Sequence, residues 1–199
     1  MGVMVSPGPV APRRSSRLAG LLSDSAQWCA GRSWAWRAPL LLYFAYVGAR
    51  HLADPYYGSL FAGITLGIHE LGHLLLSWAG RFLAIAGGSL AQVAAPIAAG
   101  WFLYRQRDYF GVAAAGAWLA FSLFGLATYV GDARTQELPL LGFTADPVHD
   151  WNALLSMLGI LSWDRTLAFL TRAAAFGIWA ASLLFGGWLC RRMARSVRS

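Results

Sequence analysis

Long apolar runs alternate with short polar breaks between residues 34 and 191, and the length of each run predicts what it forms. The runs at roughly 57 to 80, 82 to 104, 109 to 131 and 167 to 190 each reach the length of about 20 residues that an α-helix needs to cross a bilayer. A shorter run at roughly 36 to 50 can cross with the help of its flanking aromatics. The stretch W-N-A-L-L-S-M-L-G-I-L from Trp151 is too short to span comfortably and is expected to sit half inserted, with Asp150 as its candidate N-cap. The pattern predicts an all-α, multi-pass membrane bundle of five to six spans. Six spans put both basic ends on the cytoplasmic side, which the positive-inside tendency favours, although Arg105 and Arg107 then face outward.

One apolar run is interrupted. Gly87, Gly88 and Pro96 fall within residues 82 to 104 and predict a broken helix, which membrane depth tolerates only where protein or a polar cavity satisfies the freed backbone. Gly63, Gly67 and Gly72 in the preceding run read as positions of close helix packing.

Composition agrees with a membrane solvent. Hydrophobic residues make up 57% of the 199 and charged residues 13%, against about 25% charged in a soluble domain. The net charge of +7 does not indicate nucleic acid, because the arginines cluster at the two ends and in the breaks, where they report topology. Membrane lipid is the partner this distribution implies. Residues 1 to 33, rich in Pro, Ser, Gly and Arg, read as a flexible basic tail, and residues 192 to 199 as a second basic tail. The domain between them is the membrane-embedded unit, 34 to 191. Cys29 and Cys190 form neither a disulfide framework nor a Cys-based metal motif, so any metal is held by nitrogen and oxygen.

Chemistry concentrates in the second run. Glu70 is the only charged side chain in residues 57 to 80, and a charge at membrane depth marks function. It belongs to H-E-L-G-H, where His69 and His73, four residues apart, share one helix face and can ligate one zinc ion. Glu70 beside them can act as general base toward water without ligating the metal. A catalytic zinc takes three protein ligands and leaves the fourth place open, so one more is required. The segment P-V-H-D-W-N offers two arrangements: His149 ligates while Asp150 caps or orients, or Asp150 ligates with His149 behind it. Asp132 is either a headgroup-level residue or a further member of the site. Gln92 and Asn152 are candidate oxyanion donors whose plainer role is to satisfy backbone near a helix break. His51 lies outside the motif and reads as interfacial.

The residues G-I-H-E-L-G-H-L-L-L, a following Gly-Gly segment and a later Asp-bearing segment resemble the site-2 protease class of intramembrane zinc metalloproteases. The chain also resembles small bacterial membrane proteins that share H-E-x-G-H, a Q-R-D-Y-F break and an H-D-W segment, a group that implies no particular substrate. The first resemblance implies His69 and His73 as ligands, Glu70 as base, and Asp150 as counterpart of the class's third ligand, here in H-D-W rather than L-D-G after N-x-x-P. It implies a membrane zinc endopeptidase acting on peptide bonds in or near the bilayer, with transmembrane peptides as substrates and the bacterial inner membrane as location. The alternative is a non-proteolytic membrane protein with a structural zinc or a polar gating site.

Overall fold

The computed structural model describes residues 17 to 139 and 148 to 196, and all regular structure among them is helical. Seven α-helices follow in order: α1 (Arg17–Trp28), α2 (Arg37–Ala53), α3 (Leu60–Leu76), α4 (Arg81–Arg105), α5 (Tyr109–Gly131), α6 (Asp150–Met157) and α7 (Asp164–Ser196). Single 3-10 turns at Ser77–Ala79 and Leu161–Trp163 extend α3 and lead into α7.

Four helical segments are long and apolar enough to cross a membrane: Leu60–Ala79, Arg81–Arg105, Tyr109–Gly131 and Leu161–Ser196. The other two expected crossings are not among these four: α6 is far too short, and α2 lies at the lower limit of length for a span. At about 1.5 Å per residue, the 17 residues of α2 reach roughly 25 Å and the eight of α6 roughly 12 Å, against a hydrocarbon core of about 30 Å. Gly159, in the left-handed region at φ +70°, follows the end of α6.

α5 is the central helix. Phe121 and Phe124 pack with Phe44 and Val47 of α2 and Ala175 of α7, while α3 and α4 pair closely on the other side. The outward faces stay apolar: Leu60, Ile64, Leu71, Leu74 and Leu75 of α3 and Phe169, Leu170, Phe176 and Leu184 of α7 are all exposed. Water disfavours so large an apolar surface and lipid does not.

The stretch expected to be a flexible tail contains α1, so that expectation is corrected for residues 17 to 28. Its end is anchored by Cys29, which is buried with Tyr109, Phe110, Leu189 and Met193. Likewise α7 continues through Ser196, and part of the expected C-terminal tail is helix with Met193 in the core.

The expected break in α4 is absent. Gly87, Gly88 and Pro96 all lie inside one 25-residue helix. Proline at position 96 removes the N–H that would bond the carbonyl of Gln92, and Ser122 Oγ of α5 donates to that carbonyl at 3.0 Å instead. The glycines serve approach rather than bending. A Cβ at Gly72 would collide with the Gly87 carbonyl, and one at Gly87 with the Gly72 carbonyl, so the two backbones touch at this crossing. Gly63 and Gly67 face open space, and their expected packing role is not found.

Candidate metal centre

α3 presents His69 and His73 one turn apart toward α4 and α6, with ring centroids 4.7 Å from each other. Asp150, the first residue of α6, reaches them from the far side of the chain. Its Oδ2 lies 2.9 Å from His69 Nε2 and 3.2 Å from His73 Nε2. Together the three side chains form a group able to hold a metal ion, their ligand atoms all within 4.8 Å of one another.

The outer nitrogens are fixed. His69 Nδ1 donates to Gln92 Oε1 at 2.8 Å, and His73 Nδ1 donates to the Ala84 carbonyl at 2.8 Å. A neutral imidazole has one proton, and here that proton is committed to an acceptor on the outer side. Each Nε2 then turns a lone pair toward Asp150, which also offers lone pairs. Either a second proton on each ring or one cation among the three atoms satisfies this arrangement, and the donor set of two imidazoles and a carboxylate suits a metal ion. Gly88 makes the space: a Cβ there would strike Nε2 of both histidines.

α6 is held in place by four hydrogen bonds. Asp150 N–H donates to Tyr129 Oη at 2.9 Å, Trp151 Nε1 to Ser89 Oγ at 3.1 Å, and Asn152 Nδ2 to the Ala133 carbonyl at 2.8 Å. The fourth is the cap, where His149 Nδ1 accepts from Asn152 N–H at 3.2 Å. The expected cap therefore moves by one residue: His149 has the extended backbone of an N-cap and Asp150 is already helical. That shift resolves the choice of third residue geometrically. His149 Nε2 points away from the group and approaches Asp132 Oδ2 at 3.3 Å, so His149 is not brought to His69 and His73.

Asp132 sits behind His149 and organises the turn after α5. Its carboxylate accepts from Thr135 Oγ1 and from the N–H groups of Glu137 and Leu138. Burial raises the Asp132 pKa, but these hydrogen bonds outweigh it and hold the group below the usual carboxylate range. Burial pushes the His149 imidazole below its ordinary value, so it stays neutral as cap. Asp150 shows the same contest as Asp132: burial raises it, the hydrogen bonds to His69 and His73 lower it, and the net direction is down.

A cavity of about 700 Å³ adjoins the group. Its walls include Phe61, Thr65, Leu66 and Phe121, with His69, Glu70, His73, Gln92, Tyr129 and Asp150 at the metal group. Glu70 is half-buried, and its carboxylate enters no hydrogen bond or ion pair among the described residues.

Of the candidate oxyanion donors, Asn152 satisfies backbone and Gln92 orients His69. His51 is not part of the metal group. It is buried on the cavity wall, stacked on Phe124 with ring centroids 5.5 Å apart. Sequence reasoning passed over Tyr129, Ser89 and Ala84, none of which belongs to a motif; a Tyr closing an apolar span is an ordinary interfacial residue by pattern. No family model, no curated protein and no solved structure matches the chain.

Proposed function

We propose that the protein is a multi-pass zinc metalloendopeptidase that hydrolyses peptide bonds in or near the bilayer, with transmembrane peptides as substrates and the bacterial inner membrane as its location. The observation that carries this reading is the convergence of His69, His73 and Asp150 beside Glu70 on one cavity. Three ligands at about 2 Å from zinc lie roughly 3.3 Å apart in a tetrahedral site, close to the 2.9 and 3.2 Å found between Asp150 and the two histidines. Three protein ligands also leave one position open, as catalysis requires and structural zinc does not.

Zinc bound there supplies Lewis-acid polarisation of the scissile carbonyl and makes water acidic enough to attack near neutral pH. Glu70 takes the proton from the attacking water and delivers it to the departing amine nitrogen. Gln92 and Ala84 hold the two imidazoles so that Nε2, not Nδ1, faces the reaction. The apolar part of the cavity wall, formed by Phe61, Leu66 and Phe121, suits a lipid-resident segment.

The test is metal analysis of detergent-purified protein followed by cleavage of a reconstituted transmembrane peptide. Wild type is expected to carry one zinc, Asp150→Ala to lose it, and Glu70→Gln to keep zinc while losing cleavage. Absence of zinc from wild type overturns the reading. Zinc without Glu70-dependent cleavage returns the protein to the non-proteolytic alternative.

A further inference from the structure

We infer that the metal group lies in the extracytoplasmic half of the bilayer, so that its substrates are membrane segments cut close to their outer end; this deepens the membrane endopeptidase reading above and rests on it. α5 supplies the reference axis. At its start Tyr109 packs edge-on against Trp28, the last residue of α1, with centroids 5.8 Å apart, and Phe110 meets Trp36, just before α2, at 5.9 Å. Leu189 and Met193, toward the end of α7, join Tyr109 and Phe110 in one buried cluster. One end of the bundle therefore gathers the end of α1, the start of α2, the turn between α4 and α5, and the end of α7.

The arginines divide unevenly between the two ends. Arg50, Arg81, Arg134, Arg165 and Arg172 belong to the far end. Arg50 lies in the last turn of α2, after which the Pro55 carbonyl accepts from Thr128 Oγ1 near the end of α5 at 2.9 Å. Arg81 opens α4, Arg134 pairs with Asp164 at the start of α7 at 2.8 Å, and Arg172 donates to Thr128. Every other one of the sixteen arginines precedes or opens α2, flanks the turn between α4 and α5, or falls in the last turns of α7 or after it. Arg105 and Arg107, which a six-span count turns outward, thus share an end with Arg37, whose guanidinium lies 4.2 Å from the Trp36 ring. The side richer in Lys and Arg stays in the cytoplasm, so the far end faces outward. The metal group belongs to that far end. Asp150 is fastened to Tyr129 near the end of α5, and His73 to the Ala84 carbonyl in the first turn of α4. At about 1.5 Å per residue, Tyr129 stands roughly 30 Å along α5 from Tyr109 and only about 3 Å from Gly131. A bond cleaved here lies near the outer boundary of the hydrocarbon core, not at its middle.

The experiment labels the full chain in bacterial spheroplasts with a membrane-impermeant maleimide. Glu137→Cys and Gln106→Cys place a thiol at exposed positions beyond either end of α5, and the parent chain, with Cys29 buried and Cys190 half-buried, gives the baseline. Glu137→Cys is expected to react in intact spheroplasts, and Gln106→Cys only once the membrane is permeabilised. The reverse pattern overturns the inference. Equal reaction of both in intact spheroplasts also overturns it, because the chain then has no single orientation. A second arm co-expresses a single-span protein whose own orientation is fixed, and maps by mass spectrometry any cut that the wild type makes and Glu70→Gln does not. The cut is expected in the extracytoplasmic half of the span, and a cut in the cytoplasmic half overturns the inference. The expected labelling with no Glu70-dependent cut overturns the hydrolytic reading instead, so the two failures are told apart.

Discussion

Gln92 Oε1 lies 2.8 Å from His69 Nδ1, and this one contact decides which nitrogen of His69 is turned toward Asp150. Replacing Gln92 with Leu keeps the volume of the side chain and removes the acceptor. The imidazole is then free to change tautomer, and metal affinity is expected to fall about 10- to 100-fold. Competition against a chelator of known affinity measures the change; an unaltered affinity would mean that Gln92 does not orient the ring.

Gly88→Ala tests the space rather than the ligands. Alanine is the better helix former by about 1 kcal/mol, so α4 is expected to keep its helicity by circular dichroism. Its methyl group meets Nε2 of both histidines, and metal content is expected to drop at least tenfold. Retention of full metal stoichiometry would contradict the geometry described.

His149 and Asp150 are separable by substitution. His149→Asn preserves a capping acceptor and is expected to bind metal nearly as wild type, whereas His149→Ala loses the cap at a cost of about 1 kcal/mol in stability. Asp150→Ala is expected to lose metal outright. Metal loss in His149→Asn equal to that in Asp150→Ala would make His149 a ligand.

The pair could not be assigned from H-D-W alone, because the cap is whichever residue has extended backbone, and that is set by contacts distant in sequence. Tyr129 and Ala133 pin the Asp150 N–H and the Asn152 side chain, and so decide the register of α6. H-E-L-G-H was legible because its geometry is local: positions four apart on a helix share a face whatever surrounds them. The break expected at Gly87, Gly88 and Pro96 went the other way. Helix propensity reads those residues as interruptions, while their partners, Gly72, the two imidazoles and Ser122, lie on other helices. The span count is less legible, since the apolar pattern over 36 to 50 gives a helix of the right character whose 17 residues lie at the lower limit for a crossing.

Acid is expected to loosen the turn after α5. The folded pKa of Asp132 lies below its unfolded value, so the native state binds fewer protons and the carboxylate contributes stability that is fully present above the unfolded pKa. That contribution disappears as pH falls from the ordinary carboxylate range through the depressed folded value. Thermal unfolding as a function of pH should show this decline in wild type and a weaker one in Asp132→Asn; matching profiles would remove Asp132 from the account.

Ser122 and Pro96 are tied to each other across two helices through a single carbonyl oxygen, that of Gln92. Ser122→Ala leaves that buried oxygen without a partner, at a cost of about 1 to 3 kcal/mol, unless position 96 regains an N–H to serve it. The dependence runs one way: the hydroxyl is dispensable once position 96 has an N–H, whereas the proline is tolerable only while the hydroxyl is there to serve the carbonyl.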